Sequence, residues 1–129
     1  MESVQHLSAI SLFVEDLSAA KAFYSQVFRA PLVYEDANSA AFQFKDLIIN
    51  LLQVEAAHEI VTPGTVAGRS AGSRFQLSIW VEDVDAVCAE LLARGVRLLQ
   101  GPINRPWGMR TANFVDPAGH SWEVAQKIH

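Results

Sequence analysis

Apolar and polar positions along this chain follow one rhythm, and they follow it twice. Ala9 to Val14 is apolar and β-prone, which predicts a strand. Asp16 comes next, placed so that its carboxylate can accept from the first free N–H groups of a helix. Leu17, Ala20, Phe23, Tyr24 and Val27 recur at helical spacing and give that helix one apolar face. Strand-like runs follow at Leu32 to Glu35, Ala40 to Phe44 and Leu47 to Val54, with a turn at Lys45-Asp46. From Gln76 the order returns. A strand runs to Val81, Asp83 caps, and Val84, Val87, Cys88, Leu91 and Leu92 make the helix face, with Gly95 as its stop. Runs at Arg97 to Gln100, Arg110 to Val115 and Ser121 to Ile128 complete the second copy, with Asp116-Pro117-Ala118-Gly119 as strong turn chemistry.

The repetition reaches individual residues. ISLFVEDLSAA (Ile10 to Ala20) and LSIWVEDVDAV (Leu77 to Val87) share Ser11/Ser78, Val14/Val81, Glu15/Glu82, Asp16/Asp83 and Ala19/Ala86. The spacing is too long, and the copies too few, for a solenoid. The stretch from Ala56 to Arg74 carries Pro63, Gly64, Gly68 and Gly72 and reads as a linker. The pattern predicts one α+β domain over 1–129 made of two tandem βαβββ modules, about 5–55 and about 75–128, joined by a linker of about 56–74. Two half-covered sheets of this kind would form a curved mixed sheet around a cleft.

Strand alternation assigns faces. Ile10, Leu12 and Val14, like Leu77, Ile79 and Val81, should meet the helices. Ala9, Ser11 and Phe13, like Gln76, Ser78 and Trp80, point the other way. That second side mixes small, polar and aromatic residues, as a ligand-facing sheet does. Aromatics in strands are also ordinary packing, so Phe13 and Trp80 could equally fill a second apolar interface.

Composition narrows the classes. The chain has 129 residues, half of them hydrophobic, and a formal charge of −4. With no basic stripe, nucleic acid is not an expected partner. The single cysteine, Cys88, excludes an internal disulfide and suits a reducing compartment. MESVQHLSAISL lacks the basic start and long apolar core of a signal peptide, and no run approaches a membrane span. A soluble cytoplasmic protein is the expectation, with no membrane partner.

The two-module grammar, FVEDLSAAKAFYSQVF and the ending PWGMRTANFVDPAGHSWEV together resemble the vicinal oxygen chelate superfamily, the glyoxalase, bleomycin-resistance and extradiol dioxygenase type. Arg29-Ala30 stands where many members have Gly. The resemblance covers nearly the whole chain. It implies paired βαβββ modules around a barrel-like cleft and homodimers that complete each site. It also implies metal ligands at four places, which fall on Ala9, Asn50, Gln76 and Glu123. Ala9 offers no donor, Asn50 and Gln76 are neutral, and only Glu123 brings charge. A dioxygenase would need two His and a carboxylate, and neither His position is His. No cofactor is therefore expected; a divalent metal, if one binds, would use Gln76 and Glu123. His6, His58, His120 and His129 form no short ligand spacing.

What remains is a site for a small molecule. Phe13, Asn50, Gln76, Ser78, Trp80, Trp107, Arg110 and Glu123 are the expected ligand-binding residues, with Trp107 and Arg110 able to stack on and fork to a planar or anionic group. Glu123 is the candidate acid or base if the protein is an enzyme, which would make it a glyoxalase-like lyase or isomerase. Binding without chemistry leads, and a dimer with a vestigial cleft is the third reading.

Overall fold

A computed structural model of the protein describes residues 4–129. It divides into two compact units, one reaching Ser70 and one starting at Ala71. The first holds β1 (Ala9–Val14), α1 (Leu17–Phe23), β2 (Leu32–Glu35), β3 (Ser39–Gln43), β4 (Ile48–Gln53) and α2 (Val54–Val61). Its sheet runs β1-β4-β3-β2. Only β1 and β4 pair in parallel, because α1 and the β2-β3 hairpin carry the chain across between them. Leu12, Val14, Ala20, Tyr24, Phe42 and Leu51 are buried and form the core on the helix side.

Asp16 caps α1 as expected, its carboxylate accepting from the Ala19 N–H. The helix then widens into a π-helical turn, Tyr24–Phe28. Tyr24 and Val27 are buried there, and the Tyr24 and Phe28 rings lie 5.2 Å apart. Arg29 ends the turn at φ 54, the left-handed conformation that a glycine would take without cost.

The second unit repeats the plan with β5 (Leu77–Trp80), α3 (Val84–Ala93), β6 (Gln100–Asn104), β7 (Met109–Val115) and β8 (Ser121–Lys127). The sheet order is β5-β8-β7-β6, with β5 parallel to β8. Asp83 caps α3 through the Ala86 N–H, and Gly95 leaves it at φ 87. Cys88, Leu91, Phe114, Trp122 and Val124 are buried on the helix side.

Each module carries a further tie. The Gln53 side chain accepts from the Leu17 N–H at 3.1 Å, and Gln126 accepts from the Val84 N–H at 2.8 Å. Both glutamines lie at the end of the last strand of their module, Gln53 as the final residue and Gln126 one before it, and satisfy a helix donor that would otherwise lack a partner.

Two expectations change. The stretch read as linker begins inside α2, whose alanine- and glutamate-rich turns favour helix before Thr62 and Pro63 end it. The strand expected over Arg97 to Gln100 begins at Gln100 and runs on to Asn104. Gly101, at φ 92, lets β6 shift register beside β7; a Cβ there would stand 2.2 Å from the Thr111 carbonyl oxygen. No helix among the described residues is long and apolar enough to cross a membrane.

Candidate functional site

In each sheet one face packs against its module's helix, α1 or α3, and the alternate residues of the strands form the opposite, open face. On the open face of the second module, Ser78, Glu123, Asn113 and Gln100 stand side by side across β5, β8, β7 and β6. The Ser78 hydroxyl donates to Glu123 Oε1 at 2.8 Å. The second carboxylate oxygen accepts no hydrogen bond from the described residues. Asn113 Oδ1 is buried and has no hydrogen-bond partner among the described residues.

Gln76 lies just before β5 and donates to Ser121 Oγ at 3.0 Å, so its amide is engaged one step away from Glu123. Trp80 shares a row with Ala125 and Thr111 and is 72% exposed, so no described residue uses it as core filler. Trp122 of β8, which pairs with Leu77, points the other way and is buried.

Trp107 sits in the turn between β6 and β7 and is 68% exposed. The guanidinium beside it belongs to Arg105, 5.9 Å from the ring, and not to Arg110. Arg105 is held by Thr111 Oγ1 at 3.0 Å and Gln100 Oε1 at 2.8 Å, both residues of the open face. Arg110 alternates to the helix side. It forks onto the Asp85 carboxylate at 3.0 to 3.3 Å and reaches Asn104 Oδ1, tying β7 to the first turn of α3. Strand parity thus places Arg110, expected as a ligand grip beside Trp107, on the helix side as a tie to Asp85, and Arg105 stands beside Trp107. The sequence signal was available in RPWGMR, where Arg105 also flanks the tryptophan.

The first module offers a plainer version of the same face. Ser11, Asn50 and Ala41 form the matching row, with Asn50 Nδ2 at 3.4 Å from Ser11 Oγ. Phe13 lies one row on, beside Leu52. Asn50 thus occupies the position that Glu123 holds in the second copy.

The donor chemistry bears on a metal. Gln76 is turned to Ser121, Ala9 has no donor atom, and Glu123 is the one carboxylate on its row. Among the described residues no group of three or more His, Cys, Asp or Glu is placed to hold an ion. His120 Nδ1 lies 2.9 Å from the buried Asp116 carboxylate, and His6 is exposed. Gln76 and Glu123 alone do not fit a divalent centre, which takes about four donors.

Two open-faced βαβββ sheets, each with its helix on one side, define a protein of the glyoxalase type. The model described as Glyoxalase/Bleomycin resistance protein/Dioxygenase superfamily matches residues 4–124, and the chain belongs to that family. It is 33% identical over 127 residues to the uncharacterized protein YraH of Bacillus subtilis (strain 168), covering 95% of this chain and 98% of that one. It is similar in fold to a glyoxalase/bleomycin resistance protein/dioxygenase from Nocardioides, with a TM-score of 0.85, 23% identity and coverage of 95% and 83%. It is also similar to TnmS3, an antibiotic binding protein from Streptomyces sp. CB03234. There the TM-score is 0.71, the identity 29%, and coverage 97% and 98%.

Proposed function

We propose that this protein binds a small apolar or aromatic molecule on its open sheet faces, without a tightly held catalytic metal. The observation that carries the reading is the Ser78-Glu123 pair beside exposed Trp80: a fixed carboxylate with one free oxygen, next to an uncovered aromatic surface. A flat ring can lie on Trp80 while a polar group meets Glu123. The likeness to an antibiotic binding protein supports binding without turnover. Phe13, Asn50, Gln76, Ser78 and Trp107 belong to the proposed binding surfaces, the protein acts as a homodimer, and it works in the cytoplasm.

A second reading is favoured by that same free oxygen. Glu123 could take a proton from a bound substrate, as the base of a glyoxalase-like lyase or isomerase. Thermal denaturation against a panel of aromatic natural products separates the cases when run beside elemental assay of protein purified without chelator. A ligand at a hundred times its Kd adds about 2.7 kcal/mol of stability, and Trp80→Ala should remove that gain. Near-stoichiometric zinc, nickel, iron or manganese, lost together with lyase turnover in Glu123→Gln, would replace the first reading with the second. A panel that leaves melting unchanged, with no metal, points to a vestigial face. Light scattering of the eluting protein decides the dimer.

A further inference from the structure

The open face of the second module carries an imbalance that packing does not explain. Its central row has two acceptor oxygens that no donor of the described residues meets. Ser78 has spent its hydroxyl proton on Glu123 Oε1. Asn113 pairs across from Glu123 in the sheet, and its side-chain carbonyl oxygen is buried without a partner among the described residues. Beyond Asn113, Gln100 turns its own oxygen to Arg105. A buried acceptor with no donor destabilises the free protein, and such a cost is commonly kept at a functional site.

We propose that Asn113 is a specificity-determining residue, and that its carbonyl oxygen and the free oxygen of Glu123 together receive a cationic nitrogen group bearing at least two N–H donors. The inference rests on the binding reading above and names the chemistry of the ligand. Two adjacent acceptors, one of them charged, disfavour a carboxylate, whose charge would meet that of Glu123. They match an amidinium or a primary ammonium, whose N–H groups can reach both oxygens at once. Asn113 as a residue is only half-buried. Its amide turns about a soft terminal torsion, so its oxygen can come to the surface as the ligand arrives. Trp80, two residues from Ser78 on the same side of β5, supplies a face for an aromatic body and for the cation itself. Arg105, the nearby cation, is drawn toward Thr111, Gln100 and Trp107.

Benzamidine and benzoate test this directly, because they share shape and differ in donor against acceptor. Titration of the full chain, followed by amide and side-chain NMR, should show benzamidine shifting the Asn113 and Glu123 signals, and benzoate shifting neither. Asn113→Leu should weaken benzamidine at least tenfold while raising the melting temperature of the free protein, because an unsatisfied acceptor is gone. Asn113→Asp should strengthen benzamidine binding by adding a second carboxylate. Equal binding of both compounds overturns the proposal, as does absence of benzamidine binding at millimolar concentration. So does an Asn113→Leu protein that melts lower and binds unchanged, which would show the amide turned over and donating to Glu123. The broader reading fails separately, only if the aromatic panel also leaves melting unaffected.

Discussion

Replacing Asp116 tests how the second module sets the register of β8. Its side chain is fully buried. Oδ1 accepts from the Ala118 N–H at 3.0 Å and the His120 N–H at 2.9 Å, and Oδ2 meets His120 Nδ1 at 2.9 Å. The turn also has backbone bonds, Asp116 N–H to the His120 carbonyl and Gly119 N–H to the Asp116 carbonyl, which any variant keeps. Asp116→Ala removes the carboxylate and leaves two half-buried N–H groups without an acceptor. Hydrogen bonds to a charged group contribute about 1.5–3 kcal/mol each. Water reaches this turn in part, so the low end applies to each of the two, and the loss should be about 3 kcal/mol. Asp116→Asn keeps one oxygen for both N–H groups and presents an amide to the imidazole, which can accept when neutral. Its loss should be about 1 kcal/mol. Urea unfolding of the three proteins measures this through the shift in midpoint at unchanged slope. If the asparagine variant costs as much as the alanine variant, charge pairing with His120 holds the turn and the reasoning from backbone acceptors is wrong. An alanine cost below about 1 kcal/mol would show that solvent replaces the carboxylate entirely.

Three other outcomes follow from backbone and burial. Arg29→Gly should raise stability by about 0.5–1 kcal/mol, because the left-handed φ of 54 strains any residue with a Cβ; unchanged or lower thermal stability would contradict it. Burial pushes the Cys88 thiol above its ordinary range, with Asp85 adding to the effect. A folded-state value above the unfolded one contributes stability that is complete below the unfolded value and is lost as pH rises through the folded one. Urea midpoints should therefore fall on the alkaline side of the ordinary thiol range, and less so in Cys88→Ala. Native Cys88 should also react slowly with a disulfide reagent at neutral pH and promptly once unfolded.

Much of the scaffold was legible because its signals are local. Asp16 and Asp83 are caps that read directly from residue type and position, and alternation alone placed Leu12 and Val14 inward and Trp80 outward. Helix α2 was hidden because Val54 ends one apolar run and begins another, so strand and helix compete for the same residue. The start of β6 was hidden because Gly101-Pro102 reads as a break, whereas the chain uses the glycine to shift register and continue. For the site, Ser78 and Glu123 could be set on one face, but their hydrogen bond depends on the parallel register of β5 and β8. Choosing between Arg105 and Arg110 needed the residue at which β7 begins, since one step reverses the face. The lone oxygen of Asn113 is a property of every neighbour at once, and no pattern along the chain encodes it.

The glutamine ties have a consequence for how such a chain can change. Gln53 and Gln126 each stand three residues after Asn50 and Glu123, on the opposite side of the same strand. What locks strand to helix and what a ligand would meet are thus carried by one strand but kept on different surfaces. A substitution at the Asn50 or Glu123 position leaves the lock untouched, and the two copies already differ there while both locks persist. Mutational drift can explore new partners on one side while selection for folding acts on the other. A duplicated module built this way is a standing reserve of binding surfaces, in which one copy can change its chemistry while the other holds the old one.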